Sequence, residues 1–109
     1  MTVSELIAST GYRVVSLPEP NREINGVYVG DLLSWVMGRA SEDNVWITIM
    51  TNLNVVAVAS LADVSVVILC EDCVPEESVI ETAKQKSVNI IVSNKPIYET
   101  CLAINGAIK

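Results

Sequence analysis

The chain has 109 residues, carries a formal net charge of −6 and contains no histidine. That length suits one domain over residues 1–109, and the acidic balance opposes binding to phosphate backbones. The missing histidine removes the usual neutral-pH acid–base group and the commonest zinc ligand.

Half the residues are apolar, mostly Val, Ile, Ala and Leu, with no Phe and five aromatics. β-branched residues favour strands while Ala and Leu favour helices, so the mixture points to an α/β fold. No apolar run approaches the roughly 18 residues of a membrane span. The opening MTVSELIAST lacks the basic and long apolar regions of a secretory leader. Three cysteines without an export signal read as reduced, cytoplasmic thiols.

In chain order, Thr2 to Thr10 predicts a helix capped by Thr2 or Ser4, with Leu6 and Ile7 inward and Gly11 ending it. Tyr12–Leu17 predicts a strand, followed by an irregular turn at Pro18, Pro20 and Asn21. Ile24–Val29 predicts a second strand, interrupted by Gly26. Asp31 is positioned to cap a helix through about Met37, with Leu32, Leu33, Val36 and Met37 at helical spacing. Val45–Met50 reads as a strand. Leu53–Ala62 is ambiguous: its valines suit a strand, its alanines and the capping Asn52 or Asn54 suit a helix, and helix is the reading adopted here.

Val66–Leu69 predicts a buried strand. Pro75 opens the clearest helix, with Glu76 and Glu77 in its first turn and Lys84 and Lys86 near its end. Val88–Val92 is a strand, and Pro96 opens a last helix to about Ala107 with Ile97, Cys101, Leu102 and Ile104 inward. From Val45 onward strand and helix alternate, which implies parallel strands covered by helices.

The ordered series from Asn21 (NREINGV, then VYVGDLLSWVMGRA, WIT, NVVAVASLAD, an apolar strand and a Pro-started helix) resembles a DRTGG domain. The resemblance runs from about Ser4 to Ile108. The signature turn is degenerate: Arg22 and Gly26 fit it, and Asn21, Glu23, Ile24, Asn25 and Val27 do not. The resemblance implies a small, largely parallel α/β fold shared with the N-terminal domains of HPr kinase/phosphorylase and of Mur ligases. It also implies a regulatory or docking role, at times beside CBS domains, with chemistry located elsewhere. The strand before the GDLLS segment should then neighbour the strand at Val45–Met50.

Several constellations have two readings. Cys70-Glu-Asp-Cys73 matches a redox CxxC pair. Glu71 and Asp72 disfavour a thiolate there, and Cys70 reads equally as a small core residue at a strand end. With Cys101 the two offer three zinc ligands and no fourth, so neither a metal nor a cofactor is expected. Glu71, Asp72, Glu76 and Glu77 make either an acid–base or cation cluster or a solvated turn at a helix start. Asp31 reads as a cap before a catalytic acid. Gly26, Gly30 and Gly38 match no phosphate loop. Trp35 is a candidate interface anchor and Trp46 equally a core residue.

Thr51, Asn52 and Asn54 lie where a strand ends and a helix begins, the position at which open α/β sheets bind ligands. With Arg22 and Gly26 they form the candidate site for a phosphate or carboxylate on a nucleotide-like metabolite; ordinary capping, and Arg22 pairing with Glu19 or Glu23, are the competing readings. The expected molecule is a homodimeric regulatory module that senses such an anion or docks a signalling or CBS-domain protein. A redox protein using Cys70 and Cys73 is the alternative.

Overall fold

In a computed structural model, which describes residues 1–108, ten elements follow in the expected order. They are α1 (Val3–Thr10), β1 (Arg13–Ser16), β2 (Gly26–Val29), α2 (Leu33–Arg39), β3 (Asn44–Thr48), α3 (Leu53–Ala62), β4 (Val66–Leu69), α4 (Glu77–Gln85), β5 (Ile90–Val92) and α5 (Ile97–Ile108). The strands form one sheet in the order β1-β5-β4-β3-β2. β2 to β5 run parallel and β1 runs antiparallel to β5. The expected β2–β3 neighbourhood is present, with Gly26 opposite Asn44 and Val29 opposite Ile47.

The parallel strands step in one direction, β2 to β5. The crossover helices α2, α3 and α4 therefore share a face, because crossovers of one hand that advance one way all fall on one side. Val36, Val56, Ala59, Val79 and Ala83 pack there on Trp46, Val67, Leu69 and Ile90. The other face is covered by α1 and α5, where Val3, Leu6 and Ile104 meet Val45, Ile47, Ile68 and Ile91. The alternation along β3 is the source of both cores: Val45 and Ile47 point one way, Trp46 and Thr48 the other.

Each helix has a readable cause. Thr2 caps α1 in a full capping box: its hydroxyl accepts from the Glu5 N–H at 3.2 Å, and the Glu5 carboxylate accepts from the Thr2 N–H at 2.8 Å. Gly11, at φ 71°, closes the helix in the left-handed region. Leu53–Ala62 is the helix adopted above, capped by Asn52 and closed by Asp63 at φ 57°. Its valines defeat strand propensity because Val55, Val56, Val58 and Ala59 are all buried between the sheet and the neighbouring helices.

Three local expectations are corrected. Asp31 does not cap α2; Leu32 stands at that position without a side-chain bond. Pro75 precedes α4, whose N-cap is Glu76. Leu102 faces outward, 53% exposed, because the inward stripe of α5 runs through Ile97, Thr100, Cys101 and Ile104.

Candidate functional site

The carboxyl ends of the four parallel strands share one pole of the sheet, and their loops are the natural ligand platform of an open α/β fold. After β2, the Asp31 carboxylate turns to the end of β3. It accepts from the Thr48 hydroxyl at 2.6 Å and from the Ile49 N–H at 3.1 Å. Two donors at a strand end hold it more firmly than one helix amide would, which is why it leaves α2 uncapped. After β3, Asn52 Oδ1 accepts from the Asn54 N–H at 3.0 Å and so caps α3. Thr51 is half-buried, and Asn52 and Asn54 are exposed.

The loops after β4 and β5 are tied together. Glu71 and Asp72 both adopt left-handed φ, 60° and 57°. Their amides donate to the Lys95 and Ser93 carbonyls, each at 2.9 Å. Ser93 Oγ and Thr100 Oγ1 stand 2.8 Å apart, both buried, and Ser93 Oγ accepts from the Lys95 N–H at 3.1 Å. β4 feeds α4 on one face while β5 feeds α5 on the other. Neighbouring parallel strands with connections leaving on opposite faces open a crevice between their ends. A depression of about 290 Å³ lies beside it, lined by Thr10, Arg13, Asp72, Asn94 and Lys95 among others. Sequence reasoning missed Asn94, Lys95 and Arg13. Only the face on which α5 packs reveals them, and the amphipathic pattern of α5 does not say which face that is.

The cysteines are placed as small packing groups. Cys70 is fully buried, and burial pushes its thiol pKa up. Burial also raises that of Cys101. Cys73 Sγ makes a weak contact to the Glu71 carbonyl at 3.8 Å. Glu71, Asp72, Glu76 and Glu77 are exposed around this turn and the start of α4.

Arg22 and Gly26 lie at the opposite pole, so the expected five-residue site does not assemble. In a parallel pair the turn before β2 sits beside the start of β3, whereas Thr51 follows its end. Asn44 faces Gly26, and Thr48 is four residues on, about 13 Å away at strand rise. Arg22 is engaged where it stands. It meets Glu19 at 3.5 Å, Asp43 at 3.0 Å and Asp63 at 2.7 Å. Burial works against its charge, but the hydrogen bonds and charges of Asp63 and Asp43 outweigh that and hold the guanidinium pKa up. Glu42, beside them, has its carboxyl pKa raised by its hydrogen bond to Asp63 and by the charges of Asp43 and Asp63. At Gly26 a Cβ would stand 3.0 Å from the Asn44 amide, so the glycine answers a close approach.

Trp46 is core, fully buried with its indole N–H on the Gly30 carbonyl at 2.9 Å. Trp35 is 52% exposed, and the Arg39 guanidinium lies over its ring at 3.8 Å. No helix among the described residues is long and apolar enough to cross a membrane.

No family model and no curated protein matches the chain. A solved structure does: the crystal structure of the CBS and DRTGG domains of the regulatory region of Clostridium perfringens pyrophosphatase, complexed with activator, diadenosine tetraphosphate. The superposition covers 97% of this chain with a TM-score of 0.77 at 16% sequence identity. This chain spans 46% of the length of that one, less than half of it. The architecture expected from the Asn21–Asp63 series is the one observed, and the protein has a DRTGG-like α/β fold.

Proposed function

We propose that this chain is a non-enzymatic regulatory module of the DRTGG type, which senses an anionic small molecule or docks a signalling or CBS-domain protein in the cytoplasm. The observation that carries the reading is the fold itself, shared over 97% of the chain with part of a pyrophosphatase regulatory region. The site assigned to it is the carboxyl-end pole: Thr51, Asn52 and Asn54 at the start of α3, with Asn94 and Lys95 across the crevice. The Thr51 hydroxyl, the Asn52 and Asn54 carboxamides and the Lys95 ammonium suit a phosphate or carboxylate. Arg22 and Gly26 are left out of it because they stand at the other pole. A homodimer suits the role, since an apolar fraction of 50% at 109 residues leaves apolar surface that a partner can cover.

The test is amide chemical-shift mapping with inorganic phosphate, ATP and diadenosine tetraphosphate, paired with thermal shift. A ligand of the native state raises the melting temperature by an amount that grows with the logarithm of one plus the ratio of ligand concentration to Kd. Shifts at Thr51–Asn54 and Asn94–Lys95 that saturate with one of these probes support the site. Shifts confined to Glu71–Glu77, or none with any probe, reject it and leave protein docking as the role. The redox alternative gains nothing from a Cys70 whose thiol is buried and raised in pKa.

A further inference from the structure

The two edges of the sheet are built differently. β1 carries Arg13, breaks register between Val14 and Ser16, and leads into Pro18 and Pro20. Charge, irregular pairing and proline are the devices that keep an edge strand from recruiting another strand. β2, at the other edge, is Gly-Val-Tyr-Val and has none of them.

The backbone of β2 is open for pairing. The Asn25 N–H donates inward to Asp43, and the Ile24 N–H donates outward to the Met1 carbonyl. The Gly30 N–H donates inward to the Ile47 carbonyl, and in the register that sets Tyr28 opposite Trp46 the amides of Gly26 and Tyr28 also face β3, so those of Val27 and Val29 point away from it, beyond the stretch that Met1 covers. The side chains beside this edge are apolar. Val27 and Val29 are 39% and 45% exposed on the α1/α5 face, where α5 packs more on β3 than on β2. Ile49 continues the Val45–Ile47 alternation onto the same face, 41% exposed. The flank of α5 opposite its groove with α1 carries Tyr98 and Leu102, 72% and 53% exposed.

We propose that β2 pairs antiparallel with β2 of a second copy of this chain, joining two sheets into one, with Val27, Val29, Ile49, Tyr98 and Leu102 of each copy closing over the seam. The proposal rests on the pairing reading above and names its surface. Three features choose a second copy as the occupant. An antiparallel edge pair is self-complementary about a two-fold axis, so one strand supplies both halves. The strip bears no charged side chain, and a molecule of net charge −6 meets its own copy most favourably where it is neutral. The five side chains offer on the order of 400 Å² of apolar surface, a fitting centre for an interface of about 800 Å² per partner.

The experiment is sedimentation velocity across a concentration series, with hydrogen exchange on the same samples. The wild-type chain should dimerise, and the Val27 and Val29 amides should gain protection as the dimer forms. Val27→Lys buries an unpaired charge in the seam and should weaken the dimer about tenfold or more. Tyr98→Glu should weaken it as well, and it decides the matter should Val27→Lys fail to fold. Val14→Lys on the other edge and Trp35→Ala should leave it unchanged. A monomer at tens of micromolar overturns both this surface and the pairing reading. A dimer that survives Val27→Lys and Tyr98→Glu, or that dissociates in Trp35→Ala, overturns the surface alone. A dimer without added protection at Val27 and Val29 overturns the strand pairing.

Discussion

Arg22 holds three acidic side chains and the backbone carbonyl of Asp63, with only 18% of its side chain exposed. Two of those acids, Asp43 and Asp63, sit in left-handed backbone at φ 66° and 57°, one just before β3 and the other just before β4. The guanidinium therefore fastens the turn before β2 to the starts of two further strands. Arg22→Met should cost about 2 kcal/mol in urea unfolding, because the acids lose their common counter-charge and its charge-assisted hydrogen bonds. Arg22→Lys should recover only part of that, since a point ammonium does not reproduce a planar fork. Glu42 is the opposite case. Its folded carboxyl pKa is raised, so the folded state binds its proton more readily than the unfolded chain does. Its charged form thus opposes folding above the raised pKa, and that opposition fades as pH falls through it. Glu42→Gln should raise the melting temperature at pH 7, with the gain shrinking toward zero in acid; melts at several pH values check the sign. Sequence alone offered Glu19 or Glu23 as partners for Arg22, and Glu19 is one. Asp43 and Asp63 were out of reach because they are distant in sequence and meet Arg22 only once β3 and β4 are in register.

Two glycines separate a helix boundary from a helix interior. Gly11 ends α1 at φ 71° with open space where a Cβ would go. Gly11→Ala should therefore cost about 1 kcal/mol through backbone strain alone, and Gly11→Asn less. Gly38 lies inside α2 at ordinary φ, also with open space, so Gly38→Ala should stabilise by about 0.5–1 kcal/mol through helix propensity. Chemical denaturation of the two variants, opposite in sign, checks the pair. Most elements were legible because their signals are local: the Thr2–Glu5 capping box, the apolar run of β4, the acidic start and basic end of α4. Leu102 was misread because apolar spacing reports a stripe without saying which residue at its margin meets solvent. Asp31 was misread because its competing donors, Thr48 and Ile49, belong to another element.

Across the whole molecule, the strand neighbourhood implied by the resemblance was right, and the site built on it failed on direction. Neighbouring strands bring two loops together only when the loops leave from the same pole, and the parallel β2–β3 pair sends them to opposite ones. The crevice between β4 and β5 was invisible for a related reason, since it depends on which face α5 covers. The antiparallel seat of β1 against β5 has a kinetic consequence. β1 is made early, yet its strand partner, β5, comes some seventy residues later. The Ser16 hydroxyl donates to the Val88 carbonyl, and Asn89 clasps the Glu19 backbone through both its amide nitrogen and its oxygen. During synthesis β1 must therefore wait while β3, α3 and β4 close their short-range contacts, because long loops delay the pairings they join. The last seam to close should be the first to open. Asn89→Ala should speed unfolding with little change in the refolding rate, whereas Ile68→Val, in the centre of the sheet, should slow refolding; stopped-flow chevrons distinguish the two. Protease attack on the native protein should then begin between Leu17 and Asn21, where the chain hangs on the clasp that forms last.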